Sequence, residues 1–331
     1  MYHHAQRRSR RIAMLAFDGV RTLDVTGPLE VFDVARALGC DYSVSLYSCG
    51  EASTIRCSSG LSVTAMPASL LAASDTLIVA GGESPAGEGI PQPARRLLQT
   101  RARRIAAIGT GTFALAAVGL LEGRRATTHW RHLDAFEARH GSTVLERESV
   151  YVRDGDVWTC AGATAGIDLA LALVADDHGT DMAHEISKDL VVLSRRLEGH
   201  PQISAAARTP RPRHAGLERL MATISADPAG HYALNTVAAR IGLSPRHLAR
   251  LFKAQVGITL RQYVYEIRLE NAVGLVMAGE SFHAAARRSG LRYGARVRDH
   301  LETHRVRPEP RATTPSTVDS GGTEAVPVYA G

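Results

Sequence analysis

The stretch Leu234–Gly257, LNTVAARIGLSPRHLARLFKAQVG, decides how this chain is read. Val237, Ala238 and Ile241 stand three and four residues apart, the spacing that gathers apolar side chains on one face of a helix. Gly242 follows as a C-terminal stop. Ser244 then offers an N-capping hydroxyl, and Pro245 falls at the first helical position, where a backbone N–H would have no partner anyway. In the helix so begun, Leu248, Leu251 and Phe252 are expected to face inward, and Arg246, His247, Arg250 and Lys253 outward. Two short helices across a tight turn, the second one basic, form a helix-turn-helix, which lays its second helix in the major groove of double-stranded DNA. Taken alone, the pattern also suits any amphipathic helix pair whose charged face is simply solvated.

Charge is distributed unevenly around this segment. The chain of 331 residues has a net charge of +6. Residues 195–310 carry 19 Lys and Arg against 9 Asp and Glu, whereas residues 1–194 carry 19 against 22. A basic C-terminal portion fits phosphate neutralisation and salt-dependent DNA binding; the acidic N-terminal portion is not expected to touch DNA. The length suits two domains, and 45% hydrophobic content is ample for buried cores. No apolar run reaches the length of a membrane span, and the Arg-rich start has no signal-peptide cleavage pattern, so a cytoplasmic protein without a membrane partner is expected. Cys40, Cys49, Cys57 and Cys160 lack metal-ligand spacing, so no metal, cofactor or disulfide framework is expected.

Residues 11–194 read as alternating strands and helices. Apolar runs at Arg11–Phe17, Asp75–Ala80 and Arg104–Ile108 and the alternating Tyr42–Tyr47 read as strands, and Leu29–Leu38, Phe113–Leu121, Gly162–Val174 and Ala183–Val192 as helices. The alternation predicts an α/β domain, a doubly wound and mostly parallel sheet, with ligands bound at the carboxyl ends of its strands. Residues 195–214, rich in Arg and Pro, read as a linker. Residues 215–310 read as an all-α double helix-turn-helix domain, and residues 1–10 and 311–331 as disordered ends.

The run LSPRHLARLFKAQVGITLRQYVYEIRLENA, Leu243 to Ala272, resembles the first helix-turn-helix of the AraC/XylS transcriptional regulators, departing at Leu260 where that family has Pro. The resemblance implies a connecting helix over Arg261–Met277 and a second motif over Ser281–Pro308, with Arg296 and Arg298 on its recognition helix. There the match degrades: Leu291 stands where relatives have Phe, and Leu301 or His300 replaces a core Phe. Arg246 and Arg250 are therefore expected to read bases, His247 to bond a base edge or a phosphate, Lys253 to meet phosphate, and the second motif to supply mostly phosphate contacts.

Upstream, LDVTGPLEVFDVA (Leu23–Ala35), DTLIVAGGES (Asp75–Ser84), IGTGTFALAAVGLLEGRRATTHW (Ile108–Trp130) and DGDVWTCAGATAGIDLALALV (Asp154–Val174) resemble the PfpI/ThiJ-type, class I glutamine-amidotransferase-like domain of GlxA-family AraC regulators. Enzymes of that superfamily place a cysteine on the sharp turn between a strand and the next helix, where the helix N-terminus favours its thiolate. Here that position is Gly109, which has nothing to attack with. The resemblance leaves a non-catalytic pocket formed by Asp24, Gly81, Gly82, Gly109, Thr110 and His129. It implies a ligand-responsive transcription factor, a homodimer taking a small effector such as an amine, an amino acid or another metabolite. Two alternatives stand beside it: a PfpI-like hydrolase or amidase with a DNA-binding tail, and a ligand-independent DNA-binding dimer. Cys160 is expected to pack as a small apolar residue.

Overall fold

The computed structural model describes residues 9–82, 98, 102–193, 195–277 and 279–303. Most of the expected disordered start and all of the expected disordered tail, 311–331, lie outside the described residues, as does the end of the second motif beyond residue 303. In chain order the α/β part contains β1 (Arg10–Ala16), α1 (Thr22–Ala37), β2 (Tyr42–Ser48), β3 (Thr54–Arg56), β4 (Ser62–Thr64), β5 (Thr76–Val79) and β6 (Arg104–Ile108). It continues through α2 (Gly111–Ala117), β7 (Arg125–Ala126), α3 (Leu133–Arg139), β8 (Val144–Leu145), β9 (Tyr151–Asp154), β10 (Val157–Cys160), α4 (Ala165–His178) and α5 (Thr180–Asp189). The helical part contains α6 (Ala205–Arg208), α7 (Ala215–Ala226), α8 (Leu234–Arg240), α9 (Pro245–Val256), α10 (Leu260–Met277), α11 (Phe282–Arg288) and α12 (Ala295–Thr303).

The main sheet has the order β2-β1-β5-β6-β10-β9, parallel throughout except for β9 against β10. Its inner strands β1, β5, β6 and β10 are buried on both faces, as parallel sheets covered by helices require, while the edge strands β2 and β9 are partly exposed. Alternate residues divide between two cores. Ile12, Met14, Ile78, Ala106, Ile108 and Trp158 meet the helices α1, α4 and α5 on one face. Ala13, Leu15, Leu77, Val79, Ile105, Ala107 and Val157 meet α2 and Phe136 of α3 on the other. The expected doubly wound sheet is therefore present, with one antiparallel edge strand.

Helix α1 starts at Thr22, well before the expected Leu29, and carries Pro28 inside it. Gly27 there lies against Ile167 of α4, close enough that an added Cβ would sit 3.0 Å from its Cγ1. The early start places Asp24 in the first turn, beside the carboxyl ends of the strands.

Residues 196–203 lie against the α/β part. Val150 N donates to His200 O at 2.7 Å, Gln202 N to Glu148 O at 2.8 Å, and Arg196 Nη2 to Asp168 Oδ2 at 2.6 Å. The short α6 then packs Ala205 into the core of the helical part, with Leu217, Ile224, Leu248 and Phe252.

Candidate functional site

The helix-turn-helix forms as the caps dictate. Ser244 accepts a hydrogen bond from His247 N at 3.2 Å, and Pro245 opens α9. Gly242 and Gly257 close the two helices with positive φ, 71° and 86°. Leu248, Phe252 and Val256 are buried, and Leu251 packs at the edge of that core. Arg246, His247, Arg250 and Lys253 are all exposed on the outer face. Arg246, Arg250 and Lys253 follow spacings of four and three, which align them in one stripe.

The second motif is built the same way. Ser281 caps α11 by accepting from Ala284 N at 3.2 Å, and Gly290 turns the chain with φ 75°. Val297 and Leu301 of α12 are buried against Ala285, Ala286, Ala272, Val273 and Val276. Leu301, not His300, therefore fills the position of the missing Phe. Arg296 and Arg298 are exposed; the first lies over the Tyr265 ring at 5.7 Å and the second over Phe282 at 5.2 Å. Two residues of α10 that sequence reasoning missed tie the motifs together. Arg268 donates to the carbonyls of Pro228 and Gly230, both at 2.8 Å, and Asn271 donates to the buried Ser289 Oγ at 2.9 Å.

In the α/β part, the strand-to-helix elbow after β6 brings most of the expected pocket residues together. Gly109 has φ 54°, and a Cβ built on it would lie 3.3 Å from Asp24 Oδ2 and 3.3 Å from Gly162 Cα. A side chain at the nucleophile position would thus point at the buried carboxylate. Gly81 is tighter: its Cβ would fall 2.4 Å from Ile108 O and 2.6 Å from Asp24 Oδ2. Thr110 Oγ1 accepts from Gly82 N at 2.8 Å and lies 2.9 Å from Gly82 O, so its hydroxyl fastens the β5 turn and is not a free nucleophile. Thr128 Oγ1 donates to Gly109 O at 2.8 Å, which places the neighbouring His129 at the rim. His129 Nδ1 accepts from Arg131 N at 3.3 Å, so the ring caps its own turn, stacked on Trp130.

Electrostatics at the elbow follow from burial. Burial raises the Asp24 carboxyl above its usual range, against the lowering effect of bonds from Ala163 N and Gly81 N and of the Arg21 guanidinium. Burial, with the neighbouring His132, Arg21 and Arg131, lowers His129 to about 4 and keeps its ring neutral. Cys160 is fully buried and its thiol is pushed up by that burial, so it packs as expected. Two contributors were missed. Arg21, the residue before α1, is the cation that acts on both Asp24 and His129. Ala163 holds φ 51° while donating to Asp24 Oδ1 at 2.7 Å; non-glycine residues in this region are strained and cluster at functional sites.

The two elbow glycines differ in a way that unfolding can measure. Gly109→Ala meets no atom closer than 3.3 Å and bears mainly the left-handed backbone cost, about 1–2 kcal/mol. Gly81→Ala drives a methyl into backbone oxygen and is expected to cost about 3 kcal/mol, the upper part of the overpacking range. Urea denaturation of both variants reads the order; a Gly81→Ala variant as stable as Gly109→Ala would refute the close approach.

Comparison with known proteins agrees with this geometry. Residues 10–176 match the DJ-1/PfpI family and residues 237–304 match a helix-turn-helix domain. The HTH-type transcriptional regulator GlxA of Rhizobium meliloti is 32% identical over 226 residues, 66% of this chain and 68% of that protein. The isonitrile hydratase of Pseudomonas putida is 34% identical over 190 residues, 54% of this chain and 77% of that enzyme. A ThiJ/PfpI family protein from Pseudomonas syringae shares the fold, with a TM-score of 0.50 at 23% identity, over 66% of this chain and 87% of that one. The chain belongs to the DJ-1/PfpI family and joins that α/β domain to an AraC-type helix-turn-helix domain.

Proposed function

We propose that this chain is a sequence-specific DNA-binding transcriptional regulator, acting in the cytoplasm, whose α/β domain binds a small effector without transforming it. The capped α8–α9 pair carries the first half of this reading, with its exposed stripe of Arg246, Arg250 and Lys253. The relatives named as HTH-type regulators support it. The second half rests on Gly109: with no side chain at the nucleophile position, the elbow offers binding surface and no attacking group. The likeness to an isonitrile hydratase keeps an enzymatic reading in view, and the same glycine argues against a thiol mechanism there. The effector pocket comprises Asp24, Gly81, Gly82, Gly109, Thr110 and His129, joined by Arg21. Residues 11–194 serve as the sensing and dimerising domain, 195–214 as the connection and 215–310 as the DNA-binding domain.

The test is a genome-wide map of binding sites, followed by fluorescence anisotropy on the recovered sequence and base-substituted versions. Arg250→Ala is expected to weaken the preferred site about 5- to 150-fold and flatten discrimination at one base pair, the equivalent of about 1–3 kcal/mol. Arg296→Ala is expected to weaken all sequences alike and to reduce the salt dependence by about one phosphate contact. The opposite assignment, with Arg296→Ala changing sequence preference more, would move base reading to the second motif.

A further inference from the structure

The two helix-turn-helix motifs repeat one plan, and their buried anchors put them in register. Val237 and Ala238 of α8 answer to Ala285 and Ala286 of α11, all four buried. A glycine of positive φ ends each turn, Gly242 at 71° and Gly290 at 75°. The next residue bonds back in the same way: Leu243 N donates to Ala238 O at 3.0 Å, and Leu291 N to Ala286 O at 2.8 Å. Within the second helices, Leu248 and Phe252 of α9 are buried one helical turn apart, as are Val297 and Leu301 of α12. Leu248 stands six residues after Gly242 and Val297 seven after Gly290, so the second turn has one extra residue. With the anchors matched, the outward stripe Arg246, Arg250 and Lys253 falls on Ala295, Asp299 and Glu302, all three exposed.

A helix seated in the major groove turns its outermost stripe to the base edges and its flanks to the phosphate walls. In α9 that stripe is three cations; in α12 it is an alanine and two carboxylates. Each base pair shows two acceptors in the major groove and a single amino donor, and the phosphates on either side are anionic. Asp299 and Glu302 would meet mostly like charge there. The cations of α12 stand elsewhere. Arg296 and Arg298 lie about 60° and about 100° to either side of Asp299 around the helix, over the rings of Tyr265 and Phe282. Those flanks suit the backbone rather than the floor of the groove.

We propose that Asp299 and Glu302 keep α12 out of the major groove, so that each chain reads one groove segment, through α9, while α12 rests on the neighbouring sugar-phosphate backbone through Arg296 and Arg298. The inference rests on the regulator reading and deepens it. A double motif read in full covers two segments about one helical turn, roughly 10 base pairs, apart; here the second segment is held without being read. The two carboxylates limit how tightly the chain holds DNA and leave its preferred bases to α9.

Fluorescence anisotropy of the full chain tests this, on the duplex recovered from the genome-wide map, on base-substituted versions and on a scrambled duplex. The variant Asp299→Asn/Glu302→Gln removes both charges and keeps their shapes; each single substitution is read beside it, and an unchanged thermal midpoint establishes folding. The double variant is expected to bind every duplex about threefold or more tighter at low salt, with the gain shrinking as salt rises and the preferred bases unchanged. Glu218→Gln, which removes an exposed charge from α7, is expected to gain clearly less. Weaker binding of the double variant, with preference lost at one G·C pair, overturns the proposal and assigns Asp299 to a cytosine amino group. Unchanged affinity, or a gain matched by Glu218→Gln, also overturns it, by placing the α12 stripe away from DNA. The regulator reading fails separately, if the unaltered chain prefers no recovered duplex to the scrambled one.

Discussion

Asp177→Ala is expected to lower the unfolding free energy by about 3 kcal/mol, at the lower end of what breaking a buried ion pair costs. Asp177 ends α4, and its side chain is fully buried. The carboxylate takes a hydrogen bond from Tyr42 Oη at 2.8 Å and from Arg103 Nη2 at 2.7 Å, lies 3.1 Å from Arg10 Nη1, and is gripped by both terminal nitrogens of Arg104. Arg10, Tyr42 and Arg104 each begin a strand, so the cluster clamps the end of α4 to the lower edge of the sheet. Removing the carboxylate strands Arg104, which is 2% exposed. Its remaining bonds to Thr76 and Asp176 keep the loss from being larger. Burial pushes the Asp177 carboxyl upward, but Arg104, Tyr42 and Arg10 outweigh it and hold the group below the usual carboxylate range. The sign of the pH effect follows: the stabilisation is fully present above the unfolded pKa of about 3.9 and disappears as pH falls through the lower folded value. Urea unfolding at neutral pH and at a series of acidic pH values measures both. A loss below about 1 kcal/mol would mean that the clamp is no stronger than a surface pair.

This clamp was not legible in the sequence, and the reason is general. Arg10, Tyr42, Arg104 and Asp177 are spread along the α/β part and meet only because the strand order brings three strand starts under one helix end. Short-range patterns do not contain that order. Strands β1, β5 and β6 were legible because continuous apolar runs ending in glycine mark buried parallel strands, and β2 because its residues alternate. The hairpin of β3 and β4 and the edge pair β9 and β10 carry no such run and were missed. Helix α1 was cut short at the Gly27-Pro28 pair, which reads as a breaker. Tertiary packing overrides that local signal, since Gly27 is where α1 and α4 touch.

The candidate sites divide similarly. Capping residues act within a few positions of themselves, so Ser244, Pro245, Gly242 and Gly257 located the recognition helix almost to the residue. The elbow was placed through its resemblance to a known family; Arg21 and Ala163 were not, because their roles arise from space and from a backbone angle. His200 stood in a polar, Arg- and Pro-rich stretch, and nothing in such a stretch announces a buried imidazole.

Phe252→Ala is expected to remove about 3–5 kcal/mol from the helical part and, with it, specific DNA binding. Phe252 is fully buried in the middle of α9, its ring centroid 5.9 Å from that of Tyr263 on α10. Around it lie Leu217 and Ile224 of α7, Val237 of α8 and Ala205 of α6. The side chain therefore holds the recognition helix to the connecting helix, inside a core that Ala205 of the exit segment also joins. A loss of this size is comparable with the whole stability of a marginal small domain, about 5 kcal/mol at the low end, so the orientation of Arg246, Arg250 and Lys253 is lost along with the packing. Phe252→Leu keeps most of the buried volume and is expected to cost less than about 1.5 kcal/mol. Leu301→Ala in the second motif makes the instructive contrast. Its core is built from alanines, valines and one leucine, and the cavity is smaller, so about 2–3 kcal/mol is expected. If the first motif reads the bases, Leu301→Ala weakens binding while leaving the preferred sequence unchanged. Phe252→Ala then abolishes preference before it abolishes the residual, salt-sensitive attraction of a basic chain for DNA. Far-ultraviolet circular dichroism during urea unfolding and anisotropy titrations on specific and scrambled duplexes separate these outcomes. Retention of the specific-over-scrambled ratio in Phe252→Ala would show that α9 is held in place by something other than its core.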